Sequence, residues 1–247
     1  MLTIRERILN WYAQKFPSRA LVPLSLPIQR QLKTKWLFWY ERARMLEMAF
    51  AYTTYNEVEG DYLEFGVYEG RTFVEACEIA RRYESHQIRF HAFDSFEGLP
   101  DISEEDATGP FKKGQFRCDR RRFERNLRGH GIDRSRVNIV EGRFGQTLKE
   151  DGGHGVERVA IAWIDCDLYS STVPVLEYLT GRLADGAILV FDDWYFYKGR
   201  PDQGEQGACH EWLQNNPHIH LIEYQKFHWS GISFIVNYYD DLRQYPG

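Results

Sequence analysis

Short apolar runs alternate with segments of helical periodicity from Gly60 onward, and this alternation limits the fold more than any other feature of the sequence. The apolar runs have the length and the β-branched and aromatic content of buried strands. Parallel strands need long crossover connections, which are usually helices, so the pattern predicts a doubly wound α/β domain with a Rossmann-like parallel sheet covered on both faces. The predicted strands are 62–65, 88–93, 137–140, 159–164 and 187–191. One helix is predicted to end at 82, and three others are predicted at 117–128, 171–183 and 205–215.

The end of the chain has a different pattern. Two further apolar runs, 220–224 and 232–236, are joined only by a short connector that contains His228 and Trp229. Strands with such a short connection pair side by side in opposite directions. We therefore predict an antiparallel C-terminal hairpin at one edge of the sheet.

Residues 1–58 are predicted to form an N-terminal helical extension, because apolar and aromatic side chains recur every three or four positions in its second half. This extension is compatible with a lid or with a homo-oligomer contact. The remaining residues, 59–247, are enough for one large domain with its own core. The early part of the extension is punctuated by Pro17, Pro23 and Pro27.

Charge and cysteine content narrow the function classes. The formal net charge of −5 argues against a basic surface for nucleic acid. Segment 117–128 mixes arginines with acidic residues at helical spacing and is interpreted as a solvated helix face, with an acidic-substrate site as the alternative. The most apolar helical segment, 36–52, is interrupted by charged residues, and the four cysteines have no C-x-x-C spacing. We expect a cytoplasmic protein with reduced thiols and no membrane or nucleic-acid partner.

The first predicted strand leads into a turn in which residues 63–72 read LEFGVYEGRT. Gly66 and Gly70 allow the backbone to approach a ligand at the start of a helix. The spacing is not G-x-G-x-x-G, so it favours a smaller nucleoside ligand over a dinucleotide. The alternative is that the two glycines are turn residues that contact no ligand. The second strand ends at Asp94, which can accept hydrogen bonds from two ribose hydroxyls or, with Ser95, cap the next turn.

Two other predicted strands end in paired carboxylates. Asp165 and Asp167 follow one of them, and Asp192 and Asp193 follow the other. Carboxylates that converge at the end of a buried sheet repel each other unless a cation compensates them. Oxygen ligands without histidine favour magnesium first, then manganese or calcium, whereas helix capping would explain only one aspartate in each loop.

Three motifs together resemble the macrocin and mycinamicin O-methyltransferase family, which also includes the noviose O-methyltransferase of aminocoumarin biosynthesis. They are DSFEGLP at 94–100, DCDLYSST at 165–172 and DDW at 192–194. The resemblance runs from about Tyr62 to Asp193. It differs where Glu69, Gly70 and Arg71 stand in place of the family's usual basic residue and second glycine.

The resemblance implies a seven-stranded methyltransferase sheet, S-adenosylmethionine as methyl donor, a magnesium ion, and a sugar hydroxyl on a natural product as acceptor; manganese is the alternative ion. It carries the metal ligands over to Asp165, Asp192 and Asp193, and it makes Asp165 the candidate general base. Asp167 would brace the loop, and Gly142 to Phe144 would lie at the adenine. The donor-binding residues that it implies are Glu64, Gly66, Tyr68, Gly70, Thr72, Asp94, Ser95, Gly142, Phe144 and Asp165.

The sequence thus predicts a metal-dependent O-methyltransferase that aligns an acceptor hydroxyl with the donor methyl group and makes it more anionic. His228 and His210 are alternative bases. One rival function is a metal-dependent glycosyltransferase that uses Asp165-Cys166-Asp167 as a D-x-D site for a nucleotide sugar. The other is a binding module that kept the fold without the chemistry. Donor binding discriminates the first rival, and turnover discriminates the second.

Overall fold

A computed structural model of the protein describes residues 26–83, 87–149 and 153–239. A seven-stranded sheet organises the fold, as expected. Its strands are β1 (Asp61–Phe65), β2 (Phe90–Asp94), β3 (Val137–Glu141), β4 (Val159–Ile164), β5 (Leu183–Phe191), β6 (Ile219–Phe227) and β7 (Gly231–Tyr238). The α-helices are α1 (Leu26–Tyr55), α2 (Arg71–Arg82), α3 (Arg120–Gly129), α4 (Phe144–Thr147), α5 (Tyr169–Leu179) and α6 (Gly204–Asn215), and short 3₁₀ turns lie at Arg134–Arg136, Gly153–Gly155 and Tyr197–Gly199.

The strand order is β3-β2-β1-β4-β5-β7-β6. The first five strands in this order are parallel, and β7 pairs antiparallel with both β5 and β6. This confirms the α/β prediction and the C-terminal hairpin. The chain runs outward from β1 to β3 and then returns to β4 on the other side of β1, so the strand order reverses between β1 and β4. Ligands in open α/β sheets bind at such a point, beyond the carboxyl ends of the strands.

The predicted helix 171–183 is wrong at both ends. Helix α5 begins at Tyr169 and stops at Leu179, and Gly181 takes a left-handed conformation with φ 75° that a continuing helix does not allow. Strand β5 therefore begins at Leu183, earlier than predicted, and Leu183 is buried in the sheet. The arginine-rich helix likewise begins later than predicted, because the Asp119 side chain accepts a hydrogen bond from Arg122 N (3.0 Å) and caps it.

The long helix α1 packs on the same core as the sheet. Met45, Leu46, Ala49 and Phe50 repeat at helical spacing and are fully buried together with side chains of α2 and α3. The opposite face of the sheet is covered by α5 and α6. Helix α1 is therefore fixed against the domain, although the division at residues 58 and 59 stays a prediction. Pro17 and Pro23 lie outside the described residues.

Three further expectations concern the arginine-rich helix, a membrane span and the cysteines. Arg121, Arg125 and Arg128 on α3 are exposed, as a solvated face would require. No helix in the described part of the chain is long and apolar enough to cross a membrane. The cysteines are free and buried, and the cytoplasmic location stays a prediction.

Candidate active site

A cavity of about 830 Å³ opens at the carboxyl ends of β1, β2, β4 and β5. It is lined both by the glycine turn after β1 and by the acidic ends of β4 and β5, so two sequence signals that are far apart in the chain meet in one place. Gly70 does not line it; its Cα faces the ring of Phe123 instead. The predicted site residues that do line it are Glu64, Gly66, Tyr68, Thr72, Asp94, Ser95, Gly142, Phe144, Asp165, Asp192 and Asp193.

Gly66 joins the glycine turn to the acidic end of β4. Its N–H donates to Phe93 O (2.8 Å), its φ is 87°, and a Cβ at this position would collide with the carbonyl oxygen of Asp165. Only glycine tolerates both the left-handed backbone and this close approach. The turn and Asp165 are therefore held together by main-chain contact.

Glu64 is a buried carboxylate at the end of β1. The Tyr62 hydroxyl donates a hydrogen bond to its Oε2 (2.5 Å), and burial raises the pKa of Glu64 well above its usual value. A carboxylate in such a place is stabilised in its charged form by a cationic partner. An ammonium group of a ligand in the cavity would supply that partner.

Asp94 braces the turn in this structure. Its Oδ2 accepts hydrogen bonds from Val67 N (2.8 Å) and Tyr68 N (3.1 Å), and its Oδ1 accepts one from Phe96 N (2.6 Å). Burial raises the pKa of Asp94, and these three donors oppose the shift. The capping alternative is therefore present in the structure, whereas a ribose contact by the same carboxylate stays a prediction.

The third wall of the cavity follows β3. Gly142 N donates to Asp94 O (3.0 Å), which ties this segment to the glycine turn. Phe144 packs edge to face on Phe65, with ring centroids 6.0 Å apart. Arg143 is held by Glu97 (2.9 Å) and by Gly98 O (2.7 Å). An apolar ring beside polar backbone suits a flat heterocycle, as predicted for the adenine.

Five carboxylates form what we call the acidic centre: Asp165, Asp167, Asp192, Asp193 and Glu205. Ligand oxygens of the first, second and fourth of these lie within 4.8 Å of one another. Burial raises the pKa of Asp167, Asp193 and Glu205 well above the usual range, and the neighbouring carboxylates add to each shift. Oxygen-only ligands with this mutual repulsion suit a hard divalent cation.

Asp193 supplies a second observation in favour of a cation. Its Oδ2 is a buried oxygen without a hydrogen-bond partner among the described residues. A buried polar atom without a partner costs free energy, so its retention needs an explanation such as a ligand. The acidic centre therefore fits a divalent metal ion.

Glu205 is a site residue that the sequence did not predict; its pattern indicates only the start of a helix. Its two carboxylate oxygens accept hydrogen bonds from Cys166 N (3.3 Å) and Asp193 N (2.9 Å), so it links the two acidic strand ends. It is fully buried at the beginning of α6. The spacing of Glu205 from the aspartates carries no local pattern that could have revealed this contact.

Arg42 was also missed as a site residue. It extends from α1 into the cavity, where its Nη2 forms ion pairs with Asp165 (3.1 Å) and Asp192, and its Nη1 donates to Thr72 Oγ1 (3.3 Å). The partners lie 123 and 150 residues away along the chain. One signal was available: Arg42 falls at helical spacing from Met45, Leu46 and Ala49 on the buried face of α1.

His228 lies on the other side of Asp192. Its Nε2 is 3.4 Å from Asp192 Oδ1, and its Nδ1 accepts a hydrogen bond from Ser230 N (3.1 Å), so the proton belongs on Nε2. Burial first, and then the charge of Arg42, lower the pKa of His228 to about 3. The exposed His210 contacts Pro201 O (2.9 Å) and does not line the cavity.

Comparison with known proteins identifies the family. Residues 37–206 match the family of Macrocin-O-methyltransferase (TylF). The chain belongs to the macrocin O-methyltransferase family. This confirms the resemblance that the three motifs suggested, and the matched region includes Arg42 and Glu205 as well as the predicted site residues.

Curated O-methyltransferases resemble the chain over part of their length. Demethyldecarbamoylnovobiocin O-methyltransferase of Streptomyces niveus is 28% identical over 145 residues, which are 56% of this chain and 54% of the relative. Mycinamicin III 3''-O-methyltransferase of Micromonospora griseorubida is 27% identical over 145 residues, 56% of each chain. The chain spans about half the length of the curated relatives it matches.

Solved structures of methyltransferases share the fold. The O-methyltransferase NovP has a TM-score of 0.68 at 22% identity and covers 79% of each chain. The calicheamicin methyltransferase CalS11 has a TM-score of 0.68 at 24% identity and covers 95% of this chain and 94% of its own. These similarities confirm the predicted methyltransferase-like sheet.

The turn after β1 departs from the usual pattern of the macrocin O-methyltransferase family at Glu69, Gly70 and Arg71. Two of these residues contact neighbouring helices. Glu69 forms an ion pair with Arg122 (2.6 Å) on α3. The Arg71 guanidinium lies 3.9 Å from the ring centroid of Trp39 on α1, and burial lowers the pKa of Arg71 to about 10. Glu69 and Arg71 therefore attach the turn to α3 and α1.

The low pKa of His228 makes stability depend on pH. The unfolded imidazole takes up a proton near its ordinary pKa of 6.5, whereas the folded one does so only at about 3. Between these values the unfolded state binds more protons, so stability falls as the pH is lowered. We expect the contribution of His228 to be about 2 kcal/mol smaller at about pH 5 than at about pH 7.

The measurement is urea denaturation of the wild type and of His228→Gln at both pH values. The wild type should lose more stability on acidification than the variant, because glutamine has no proton to take up. Equal losses would contradict the assignment of a neutral, buried imidazole.

Proposed function

We propose that the protein is an S-adenosylmethionine-dependent, magnesium-dependent O-methyltransferase that acts on a hydroxyl of a sugar or another diol-bearing small molecule, in natural-product or glycan tailoring. The observation that carries this proposal is the meeting of the glycine turn and the acidic centre in one cavity, with Gly66 against Asp165. A methyltransferase needs both parts within the reach of one methyl group. Membership of the macrocin O-methyltransferase family supports the same reaction.

The donor would lie along the ends of β1, β2 and β3. Glu64 offers a buried carboxylate to the amino group of the donor, and the backbone after Gly66 is open to its methionine part. Asp94 and Ser95 lie beside the expected ribose, and Gly142 and Phe144 beside the adenine. These groups would bind and orient the donor rather than activate it, because its sulfonium is already reactive.

The metal ion would be held by Asp165 and Asp193, with Asp192 as the third ligand that the family resemblance implies. The structure instead groups Asp167 with Asp165 and Asp193, since ligand oxygens of these three lie within 4.8 Å of one another, so Asp167 is a further candidate ligand. A bound divalent ion lowers the pKa of a hydroxyl that it contacts and neutralises repulsion among the carboxylates. Asp193 contributes the oxygen that has no other partner. Glu205 orients this aspartate through the Asp193 N–H.

The acceptor would enter between the acidic centre and an aromatic wall. Phe38, Trp39, Phe196 and Trp229 line this part of the cavity, and such rings pack against the apolar faces of sugars. Asp165 is the proposed general base, because its side chain is partly exposed to the cavity. The acceptor oxygen would bond to the methyl carbon as the carbon–sulfur bond breaks, with S-adenosylhomocysteine released and the hydroxyl proton passed to Asp165.

Calorimetric titration tests the donor. We expect S-adenosylmethionine and S-adenosylhomocysteine to bind at micromolar concentrations with magnesium or with chelator, because all the proposed donor-binding residues except Asp165 lie outside the acidic centre. A nucleoside diphosphate sugar serves as the control ligand, since a D-x-D glycosyltransferase would bind it in a manganese-dependent way. Binding of the nucleotide sugar alone would overturn the methyltransferase proposal.

A further inference from the structure

A single nitrogen of Arg42 lies where the two acidic strand ends converge. Its Nη2 contacts Oδ2 of Asp165 (3.1 Å) and also Oδ2 of Asp192. Both carboxylate oxygens therefore point to one cationic atom. The side chain is nine-tenths buried, and its Nε has no hydrogen-bond partner in the described part of the chain.

The acidic centre has little other positive charge. Among the described residues, no lysine and no other arginine forms an ion pair with any of its five carboxylates. Arg42 thus neutralises part of a charge that would otherwise stay uncompensated in a buried site. The balance is incomplete, since Asp193 keeps an oxygen without a partner.

We propose that Arg42 is the resident counter-cation of the acidic centre and that a divalent metal ion competes with it for the Oδ2 atoms of Asp165 and Asp192. This inference rests on the proposed metal dependence. Two cations cannot occupy the point at which the same oxygens converge, because they repel each other at that distance. A metal ion that takes both Oδ2 atoms as ligands would therefore displace the guanidinium.

Groups other than the carboxylates also contact Arg42 and can hold its guanidinium when a metal ion displaces it. Its Cζ lies 4.7 Å from the ring centroid of Phe38 and 5.3 Å from that of Trp39, and its Nη1 already reaches Thr72 Oγ1. These contacts hold the charge beside the acidic centre without the carboxylates. Arg42 is thus a positioning residue that keeps Asp165 and Asp192 aimed at one point and couples α1 to metal binding.

The test measures Mn²⁺ affinity by electron paramagnetic resonance, without donor or acceptor. Arg42→Gln removes the competing charge and is expected to bind Mn²⁺ about tenfold more tightly than the wild type, whereas a purely structural role would weaken binding. Arg42→Lys keeps a positive charge and should return the affinity toward that of the wild type. Arg71→Gln is the matched control, because it removes a neighbouring guanidinium that contacts Trp39 and no carboxylate of the acidic centre.

Thermal unfolding gives an independent readout. In chelator, Arg42→Gln should unfold at a lower temperature than the wild type, and saturating Mn²⁺ should raise its unfolding temperature by a larger increment. Arg42→Met, which keeps the length of the side chain and its packing on Phe38, replaces the glutamine variant if that variant does not fold. Its expected Mn²⁺ affinity is the same.

The outcomes separate the two proposals. In one outcome the wild type binds Mn²⁺ and the neutral variants bind it equally or more weakly. This would overturn the proposed competition but would not affect the proposal of a metal-dependent methyltransferase. Absence of Mn²⁺ binding in every variant would overturn both, and Arg42 would then be a permanent partner of the aspartates. An equal gain of Mn²⁺ affinity in Arg71→Gln would also overturn the inference, because the change in net charge alone would then explain the tighter binding.

Discussion

The Asp193→Asn variant is expected to lose methyl transfer by about a thousandfold or more, while its metal-free form unfolds at a temperature no lower than that of the wild type. Asp193 is buried beside Asp165, Asp167 and Glu205, and burial with this repulsion raises its pKa well above the usual range. An uncharged amide of the same shape relieves the repulsion. The metal ion, however, loses the oxygen that no other group uses.

Asp192→Asn provides the contrast. It should also lose turnover, but its metal-free form should be less stable than the wild type, because Arg42 then keeps a buried charge with one partner fewer. Asp185→Asn is the control, because Asp185 lies on β5, the strand that Asp192 follows. Asp185 is exposed and accepts a hydrogen bond from Tyr238 N (3.1 Å) outside the cavity. Turnover is measured with donor, acceptor and excess magnesium. Wild-type turnover in Asp193→Asn would remove this residue from the site.

The strand ends could be predicted from sequence because their signal is local. An apolar run followed by an aspartate or by a glycine turn specifies both the strand and the edge of the sheet at which its last residue lies. In a parallel sheet these edges coincide, so Gly66, Asp94, Asp165 and Asp192 had to meet near one another. The motifs around Asp165 then led to the family.

Arg42, Glu205 and His228 could not be placed in this way. Each belongs to an element whose position depends on packing of the whole chain: α1 on one face of the sheet, α6 on the other, and the hairpin connector at the edge. In the sequence Arg42 is one of the charges that interrupt an apolar segment, and only the packing of α1 shows that this charge lies on a buried face and needs a partner. The end of α5 was missed because Gly181 terminates the helix, while Leu183 continues its apolar pattern as the start of β5.

The segment before α3 carried no sequence signal for its role, yet a buried carboxylate fixes it. Asp106 accepts hydrogen bonds from Tyr169 N (2.7 Å) and from the Ser170 hydroxyl (2.6 Å), and so caps the beginning of α5. This contact attaches one wall of the cavity to the helix that follows Asp165 and Asp167. The cavity is therefore shaped by capping interactions between segments that are distant in the sequence.

Gly66→Ala is expected to destabilise the folded protein by about 3 kcal/mol or more and to abolish measurable donor binding. The added Cβ would meet the carbonyl oxygen of Asp165, which is main chain and cannot rotate away, and the φ of 87° would be strained for alanine. Relief requires the glycine turn and the end of β4 to move apart. This movement would separate the donor site from the acidic centre.

Gly129→Ala is the matched control, because the Cβ at this exposed end of α3 meets no atom within 4 Å and its backbone is not left-handed. It should be neutral or slightly stabilising, since alanine favours helix. Urea denaturation gives the stability of both variants, and calorimetry gives their affinity for S-adenosylhomocysteine. A loss below about 1 kcal/mol in Gly66→Ala, with donor affinity retained, would contradict a tight contact between the turn and Asp165. The turn would then accommodate a side chain beside Asp165, and Gly66 would not be what fixes the donor turn against the acidic centre.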